Sequence, residues 1–407
     1  MKRSQTFIKT LKETPADADS INASLLVRAS YIAKNMAGVY ALLPLGHKVY
    51  QKVEKIIREG MNAVDGQEVL LNVLQPRELW RETGRWEEIK DIMYHIIGDE
   101  IGLAPTHEEQ VTDIVRKKVF SYKDLPLSLY QIQAKFRNEP RAKSGLLRGR
   151  EFMMKDMYSF HTSEEDFEKY YQRVIKAYQQ IFAQMGLETK VVAASGGIFS
   201  KHSHEFQVLY PTGEDAVFVC SKCDWAENKD IATVHDGGKC PKCAGAVKEE
   251  RSIEVGNIFP LKNKFSKAMK ALFKDKAGKE QEIIMGCYGI GLSRVIGTVV
   301  EVHHDDYGII WPKEIAPCQV NLISLGQNKA AEEVYQKLLA AKVEVLFDDR
   351  EDISAGEKFA DADLIGIPTR VVISDKSLKA GGAEISTRGK KEQTIVKISE
   401  ILGKIEE

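Results

Sequence analysis

Phe136-Arg137-Asn138-Glu139, followed after eight intervening residues by Arg148-Gly149-Arg150-Glu151-Phe152 and running on to Phe160-His161, reads as strand, polar loop, strand. Pro140, Gly145 and Gly149 punctuate the loop. Two antiparallel strands here would bring Arg137 and Arg148 towards a shared anion. A guanidinium grips phosphate or carboxylate through two parallel hydrogen bonds, which an ammonium cannot do. Phe152 offers a flat face for a purine ring. Lys135, Arg137, Arg141, Lys143, Arg148, Arg150 and Lys155 face only Glu139 and Glu151 in this stretch, a charge excess that attracts phosphate. A solvated surface loop is the simpler alternative on composition alone.

Two further segments carry chemistry. An apolar strand from Ile283 runs into Gly286, Gly289 and Gly291, and a helix begins near Leu292 with Ser293 and Arg294 in its first turn. Glycines after a strand let the backbone approach a ligand. The spacing is neither the dinucleotide fingerprint nor the phosphate-binding loop, so structural turns explain it equally well. Upstream, Pro105-Thr106-His107-Glu108-Glu109 sets a hydroxyl and a carboxylate two apart. On an extended segment both lie on one face and could hold an ammonium; a helix cap is the alternative.

The surroundings read as ordinary packing. Gly46 to Asn62 puts Val49, Val53, Ile56 and Ile57 on one helical face. Glu68 to Leu74 reads as a short buried strand closed by Pro76. Ser163 caps a helix whose stripe of Phe167, Tyr170, Val174, Tyr178, Ile181 and Met185 belongs to a core. Residues 214–255 read as irregular. Beyond Pro312 and Pro317, strands (Val320 to Leu325, Val343 to Phe347, Arg370 to Ser374) alternate with helices (Lys329 to Ala341, Gly356 to Leu364), a compact α/β unit.

The 407 residues allow two or three domains, and the 43% apolar content allows full cores. Lys plus Arg (58) and Asp plus Glu (59) nearly cancel, so bulk charge does not argue for nucleic acid. No apolar run is long enough for a membrane span, and Met1 to Thr10 lacks a secretory core, so a cytoplasmic protein without a membrane partner is expected. Six cysteines do not make a disulfide scaffold. Four of them form Cys220-x-x-Cys223 and Cys240-x-x-Cys243 with sixteen residues between, a spacing that suits structural Zn²⁺; free thiols are the alternative.

Taken together these segments resemble the three signature motifs of class II aminoacyl-tRNA synthetases. Motif 1 is similar to Gly46 through Pro76, motif 2 to Phe136 through Asp156, and motif 3 to Gly286 through Arg294. Within the class, several stretches resemble the bacterial-type prolyl enzymes: LQPRELWRETGRW (74–86), PTHEEQVT (105–112), GREFMMKDMYSFH (149–161), HSHEFQVLYPTGED (202–215) and MGCYGIGLSR (285–294). VEVLFDDRE (343–351) and FADADLIGIP (359–368) extend the likeness towards the C-terminus.

The resemblance implies an α+β fold. A class II antiparallel-sheet catalytic domain (1–312) would contain a zinc-ribbon-like insert (216–250), followed by an α/β anticodon-binding domain (317–407). It implies a homodimer that uses ATP and Mg²⁺ to join proline to tRNA(Pro). Arg137 would grip the α-phosphate and the proline carboxylate, and Glu139 and Phe152 would meet the nucleotide. Arg148 and Arg294 would hold the γ-phosphate. Thr106 and Glu108 would bind the imino group, with Phe160, His161 and Cys287 around the ring; a small buried apolar residue is the alternative for Cys287. Glu205 and Glu214 are the Mg²⁺ candidates. Asp348, Asp349, Arg350 and Glu351 are candidates for reading anticodon bases; a solvated charged turn is the alternative.

Two features depart from the family pattern. Val255-Gly256-Asn257-Ile258-Phe259 has asparagine where these enzymes carry histidine, and Ser293 stands where the class often has an acid. Only about 130 residues separate motifs 2 and 3, and the cysteine pairs occupy the place of the large editing insertion. The resemblance therefore implies an enzyme without its own editing domain.

Overall fold

The computed structural model describes residues 1–406 apart from 97, 99 and 141, so Arg141 of the cationic stretch lies outside the described residues. The chain forms two compact units: residues 54–142 with 147–295, and residues 1–53 with 143–146 and 296–407.

The first unit is built on a nine-stranded sheet. In chain order its strands are β1 (Gln67–Glu68), β2 (Leu127–Phe136), β3 (Glu151–His161), β4 (Lys190–Ser195), β5 (His202–Leu209), β6 (Asp215–Cys220), β7 (Ala226–Asn228), β8 (Val247–Lys262) and β9 (Ile284–Gly291). They lie in the order β5-β4-β7-β6-β8-β9-β3-β2-β1, with β5 also pairing β8. The pairs are antiparallel except β4 with β7 and β1 with β2.

Side chains alternate across a strand, and β3 shows what each face does. Lys155, Ser159 and His161 turn towards the long helix α2 (Glu164–Gln184) and the residues it covers. Tyr158 and Phe160 turn to the other face, into a core with Val111, Val115, Leu261, Phe265 and Cys287. Ser163 caps α2 by accepting from the Asp166 N–H, as its sequence predicts. Gly286 is the one motif 3 glycine that packing demands: a Cβ there would meet the Tyr288 hydroxyl at 2.4 Å and Phe167 at 2.7 Å. Gly289 is different. A Cβ would meet nothing closer than the Asn257 carbonyl at 3.6 Å, which leaves open room above the sheet.

Three expectations need correction. Residues 214–255 are not irregular, since β6, β7 and the first half of β8 are strands of the main sheet. The stretch 68–74 is not one strand: β1 ends at Glu68, and a separate strand (Leu74–Pro76) contains Pro76 instead of stopping at it. Thr106 and Glu108 do not share an extended segment, because Glu108 opens the helix α1 (Glu108–Arg116).

In the second unit the five-stranded sheet runs Val345–Asp348, Val320–Leu325, Thr369–Ser374, Ala383–Thr387, Gln393–Val396, parallel across the first three and antiparallel after. The helices Asn328–Ala340 and Ala355–Ile365 fall within a residue of their expected ends. The last two strands were not expected. The helix expected at Gly46–Asn62 spans Pro44–Asn62, with Val49, Val53, Ile56 and Ile57 all buried.

Candidate active site

Glu108 and Glu109 enter the first turn of α1, where the unpaired backbone N–H groups favour negative charge. Both carboxylates are fully buried, so each needs donors. Glu108 receives them from three segments: the Thr106 hydroxyl at 2.7 Å, Arg85 Nη1 at 3.1 Å and the Cys287 thiol at 3.2 Å. Burial, and next the Glu108 charge, push the Cys287 thiol well above its usual range, so it stays a neutral donor.

A second polar layer lies beneath. Lys135 sits 2.7 Å from Asp156, and Tyr158 and Gln131 both donate to the other oxygen of Asp156. Burial alone would raise the Asp156 carboxyl, but Lys135 and His107 outweigh it and hold it below the usual range. The Tyr158 hydroxyl also accepts from the His107 N–H at 3.1 Å, which ties this layer to the start of α1. For His107 burial, then Lys135, lower the imidazole pKa to about 4, so it is neutral near pH 7.

Arg137 leaves the end of β2 and donates to the Pro105 carbonyl through Nε and Nη2, each at 3.3 Å. Its guanidinium lies over the Phe152 ring, 5.3 Å from the centroid. Burial, and next the Arg294 charge, lower its pKa, which places the two guanidiniums within electrostatic reach of each other. Arg294 donates to the Glu254 carboxylate at 2.6 Å and to the Leu147 carbonyl at 2.7 Å. Arg148 pairs with Glu214 at 3.3 Å and Glu139 at 3.8 Å.

Thr106, Arg137 and Glu139 share a cleft of about 400 Å³ with Arg85, Asn257 and the rings of Phe199 and Phe259. Beside Glu254, Glu205 accepts from Gln207 and Asn228, and burial followed by Glu254 push its pKa up to about 7. Burial raises Asp215 as well. Carboxylates crowded in this way are under-compensated, a condition that a bound divalent cation relieves. Glu214 instead serves Arg148. Asn257 keeps a long contact to Glu205 at 3.5 Å, and its carbonyl oxygen has no partner among the described residues.

Not every expected residue reaches this place. Phe160 is fully buried in the core below Cys287 and does not line the cleft. His161 stands on the opposite sheet face, bonded to Asp166 at 2.7 Å and packed on Phe167 and Tyr170. Strand alternation forces that result, since neighbours along a strand cannot wall one pocket. In the second unit, Asp349 accepts from the Ser4 N–H and hydroxyl, and Arg350 bridges Asp348 and Asp361. Glu351 accepts from the Asn328 side chain at 2.6 Å, so all four anticodon candidates are engaged internally.

Sequence reading gave no role to Arg85, Glu109, Asp156 or Glu254. Glu254 had no distinguishing signal, because its strand also carries Lys248, Glu249, Glu250 and Arg251. Arg85 had none, because its partners lie more than twenty residues away.

The four paired cysteines meet at the ends of β6 and β8. Their sulfurs lie within 4.8 Å of one another, with Cys220–Cys243 at 3.5 Å and Cys223–Cys240 at 3.6 Å. A tetrahedron with Zn–S bonds near 2.3 Å has S···S edges of about 3.8 Å, so the set fits that ion. The Lys222 and Lys242 N–H groups point at Cys220 and Cys240 sulfur at 3.3 and 3.4 Å, and the first of these leads in lowering the Cys220 pKa to about 6. Among the described residues no helix is long and apolar enough to cross a membrane.

Comparison with known proteins gives concordant matches. A family model of the tRNA synthetase class II core domain (G, H, P, S and T) matches residues 94–303, and one of the anticodon binding domain matches 316–407. The proline–tRNA ligase of Halothermothrix orenii is 35% identical over 96% of both chains. That of Sulfurihydrogenibium sp. is 36% identical, covering 100% of this chain and 99% of its own. Among solved structures, the Cryptosporidium parvum prolyl-tRNA synthetase with halofuginone and AMPPNP has a TM-score of 0.79 at 18% identity, covering 95% of this chain and 76% of that one. The Giardia lamblia prolyl-tRNA synthetase with prolyl-adenylate has the same TM-score at 20% identity, with 94% and 75% covered. At such identity the structural likeness concerns the fold alone.

Proposed function

We infer the activity from one premise: this chain belongs to the proline–tRNA ligase family of class II aminoacyl-tRNA synthetases. It activates proline with ATP and transfers the prolyl group to the 3′ end of tRNA(Pro). Full-length identity carries this reading, and the buried Thr106–Glu108 acceptor beside Arg137 supports it.

In the first step a proline carboxylate oxygen attacks the α-phosphorus of ATP, the bond to the bridging oxygen breaks, and pyrophosphate leaves. Catalysis then rests on position and charge, without a covalent enzyme intermediate. Glu108 and Thr106 take the secondary ammonium, which has only two N–H donors, and Arg137 spans the carboxylate and the α-phosphate. Glu139 and Phe152 hold the nucleotide, while Arg148 and Arg294 balance the outer phosphates. Mg²⁺, when bound, would spread the triphosphate charge, and Glu205, crowded by Asp215 and Glu254 and without a cationic partner of its own among the described residues, is the carboxylate suited to hold it. In the second step the terminal ribose hydroxyl of tRNA attacks the prolyl carbonyl and AMP leaves.

Residues 1–312 form the catalytic domain in this reading and 317–407 the anticodon-binding domain. Asp349 and Arg350 would have to exchange their internal partners before touching a base. A homodimer follows from motif 1, in keeping with the exposed Leu70 and Leu74 in that stretch, and a cytoplasmic location goes with the role. Zn²⁺ held by Cys220, Cys223, Cys240 and Cys243 is structural, because four thiolates leave no open position.

The chain lacks its own editing domain. An alignment of 545 positions against a chain of 407 residues leaves at least 138 positions that only the relative fills. An apolar pocket separates substrates differing by a methylene only about 10–200-fold, so alanyl-tRNA forms and this chain does not clear it; rapid deacylation of added alanyl-tRNA by the pure protein would refute that. The activity itself is tested by ATP–pyrophosphate exchange with proline against threonine, serine, glycine and histidine, where only proline should support exchange.

A further inference from the structure

The donors around Glu108 include one group that the proposed reaction has not used. Arg85 is fully buried, and its Nη1 stands between two carboxylates, 3.1 Å from Glu108 and 3.0 Å from each oxygen of Glu109. Rings of Trp80, Phe199 and Phe265 surround the guanidinium with centroids 5.1, 4.9 and 5.2 Å away. Its Nε and Nη2 have no hydrogen-bond acceptor among the described residues. Arg85 is therefore fixed by aromatic packing and answers to these two acids alone. The groups facing Glu109 are Arg85, the Thr83 hydroxyl at 2.8 Å and its neighbour Glu108.

Arg85 is the one cation bonded to either acid among the described residues, while Lys135, paired with Asp156, and Arg137 act on Glu108 from farther off; with both acids ionised the bonded partners leave one negative charge unmatched. Arg85 and Thr106 line the same cleft, so an ammonium arriving at Thr106 and Glu108 is the cation that completes the balance. We propose that Arg85 and Glu109 are positioning residues for the amino-acid substrate: Arg85 orients the Glu108 carboxylate, and Glu109 supplies the charge that makes the site want an ammonium. This rests on the proline-activating reading above.

Burial, only partly offset by Arg85, pushes the Glu109 carboxyl up to about 7. The charge is accordingly present above neutrality and withdrawn as pH falls through it. The direction for folding is opposite. A carboxyl whose folded pKa is raised binds its proton more tightly in the folded chain, so stability from this group falls as pH rises through about 4.5 to 7. A neutral isostere should therefore weaken substrate binding without weakening the fold, a combination that a purely structural role does not give.

The test is proline-dependent ATP–pyrophosphate exchange by the full chain at saturating ATP, at pH 6 and pH 8, with melting temperatures measured alongside. Wild type is expected to lower its KM for proline several-fold from pH 6 to pH 8. Glu109→Gln should lose that dependence and show a KM about tenfold above wild type at pH 8, with kcat within about twofold and no lower melting temperature. Arg85→Lys keeps the charge but ends one atom short of Nη1 and loses the flat guanidinium that the three rings hold, so it should also raise KM. Should Arg85→Lys fail to fold, Glu109→Gln alone decides. A Glu109→Gln KM within twofold of wild type at pH 8, or a joint fall of kcat and melting temperature, overturns the proposal. Absence of proline-dependent exchange by wild type would instead bring down the ligase reading, and this proposal with it.

Discussion

The Thr106 hydroxyl lies 2.7 Å from one oxygen of the Glu108 carboxylate and 2.9 Å from the other, with both residues buried. Because Glu108 has further donors in Arg85 and Cys287, removing this one should disturb the carboxylate's aim more than its burial. Thr106→Val keeps the shape and deletes the donor. A hydrogen bond to a charged group contributes about 1.5–3 kcal/mol, so the KM for proline should rise roughly tenfold to a hundredfold. Because the same bond holds the free protein, the melting temperature should fall by about a few degrees; a KM unchanged in steady-state exchange would remove Thr106 from the substrate site.

Arg294 is held by Glu254 at 2.6 Å and by the Leu147 carbonyl at 2.7 Å, so its guanidinium plane is fixed before any nucleotide arrives. Lysine in its place keeps a charge and loses the fork. Loss of one preorganised donor to a developing charge costs about 2.7–4 kcal/mol. Arg294→Lys should therefore slow proline-dependent exchange by about 100-fold or more, with a far-ultraviolet spectrum like wild type. Activity within tenfold would mean that the arginine does not contact the phosphates.

His107 gives a pH signature in stability. Its imidazole is buried with a pKa lowered to about 4, against an unfolded value near 6.5, so the unfolded chain takes up the proton first as pH falls. Stability attributable to this group is fully present above about pH 6.5 and is lost as pH drops towards 4. Between pH 7 and 5 the loss amounts to about 2 kcal/mol. Denaturant unfolding of wild type and His107→Gln at both pH values should differ by that amount in their pH dependence. Parallel curves would contradict the burial of a neutral ring.

The cysteine cluster predicts about one zinc per chain by metal analysis, lost in Cys220→Ser with Cys240→Ser. Strand β6 runs from Asp215 into the cluster and β8 runs out of it to Glu254, so metal loss should loosen the phosphate side of the site. A destabilisation of about 2–3 kcal/mol would lower the melting temperature by roughly 5–10 °C. A chain purified with no zinc, yet with unchanged melting after strong chelation, would argue for free thiols.

Much of this was legible locally. The α2 cap at Ser163, the strands on either side of the motif 2 loop and the alternating elements of the second unit depend on periodicity and caps within a dozen residues. The four-cysteine spacing was equally local. The strands β6 and β7 escaped notice because what makes them strands lies elsewhere: Val217 pairs with Glu250 and Asn228, and no short-range pattern encodes that pairing. His161 was assigned to the pocket by its place in a motif, while the pleat sends it beneath α2.

The amino-acid order by itself determined which chemical groups this protein carries, the family they mark and most element boundaries, since those follow from propensity, caps and motif spacing. Only the tertiary structure decided which groups meet. It set Arg85 between Glu108 and Glu109, turned Phe160 and His161 to opposite faces, and occupied Asp349 and Arg350 with internal partners. Burial and pairing energies depend on distance through space, and distance along the chain does not fix them.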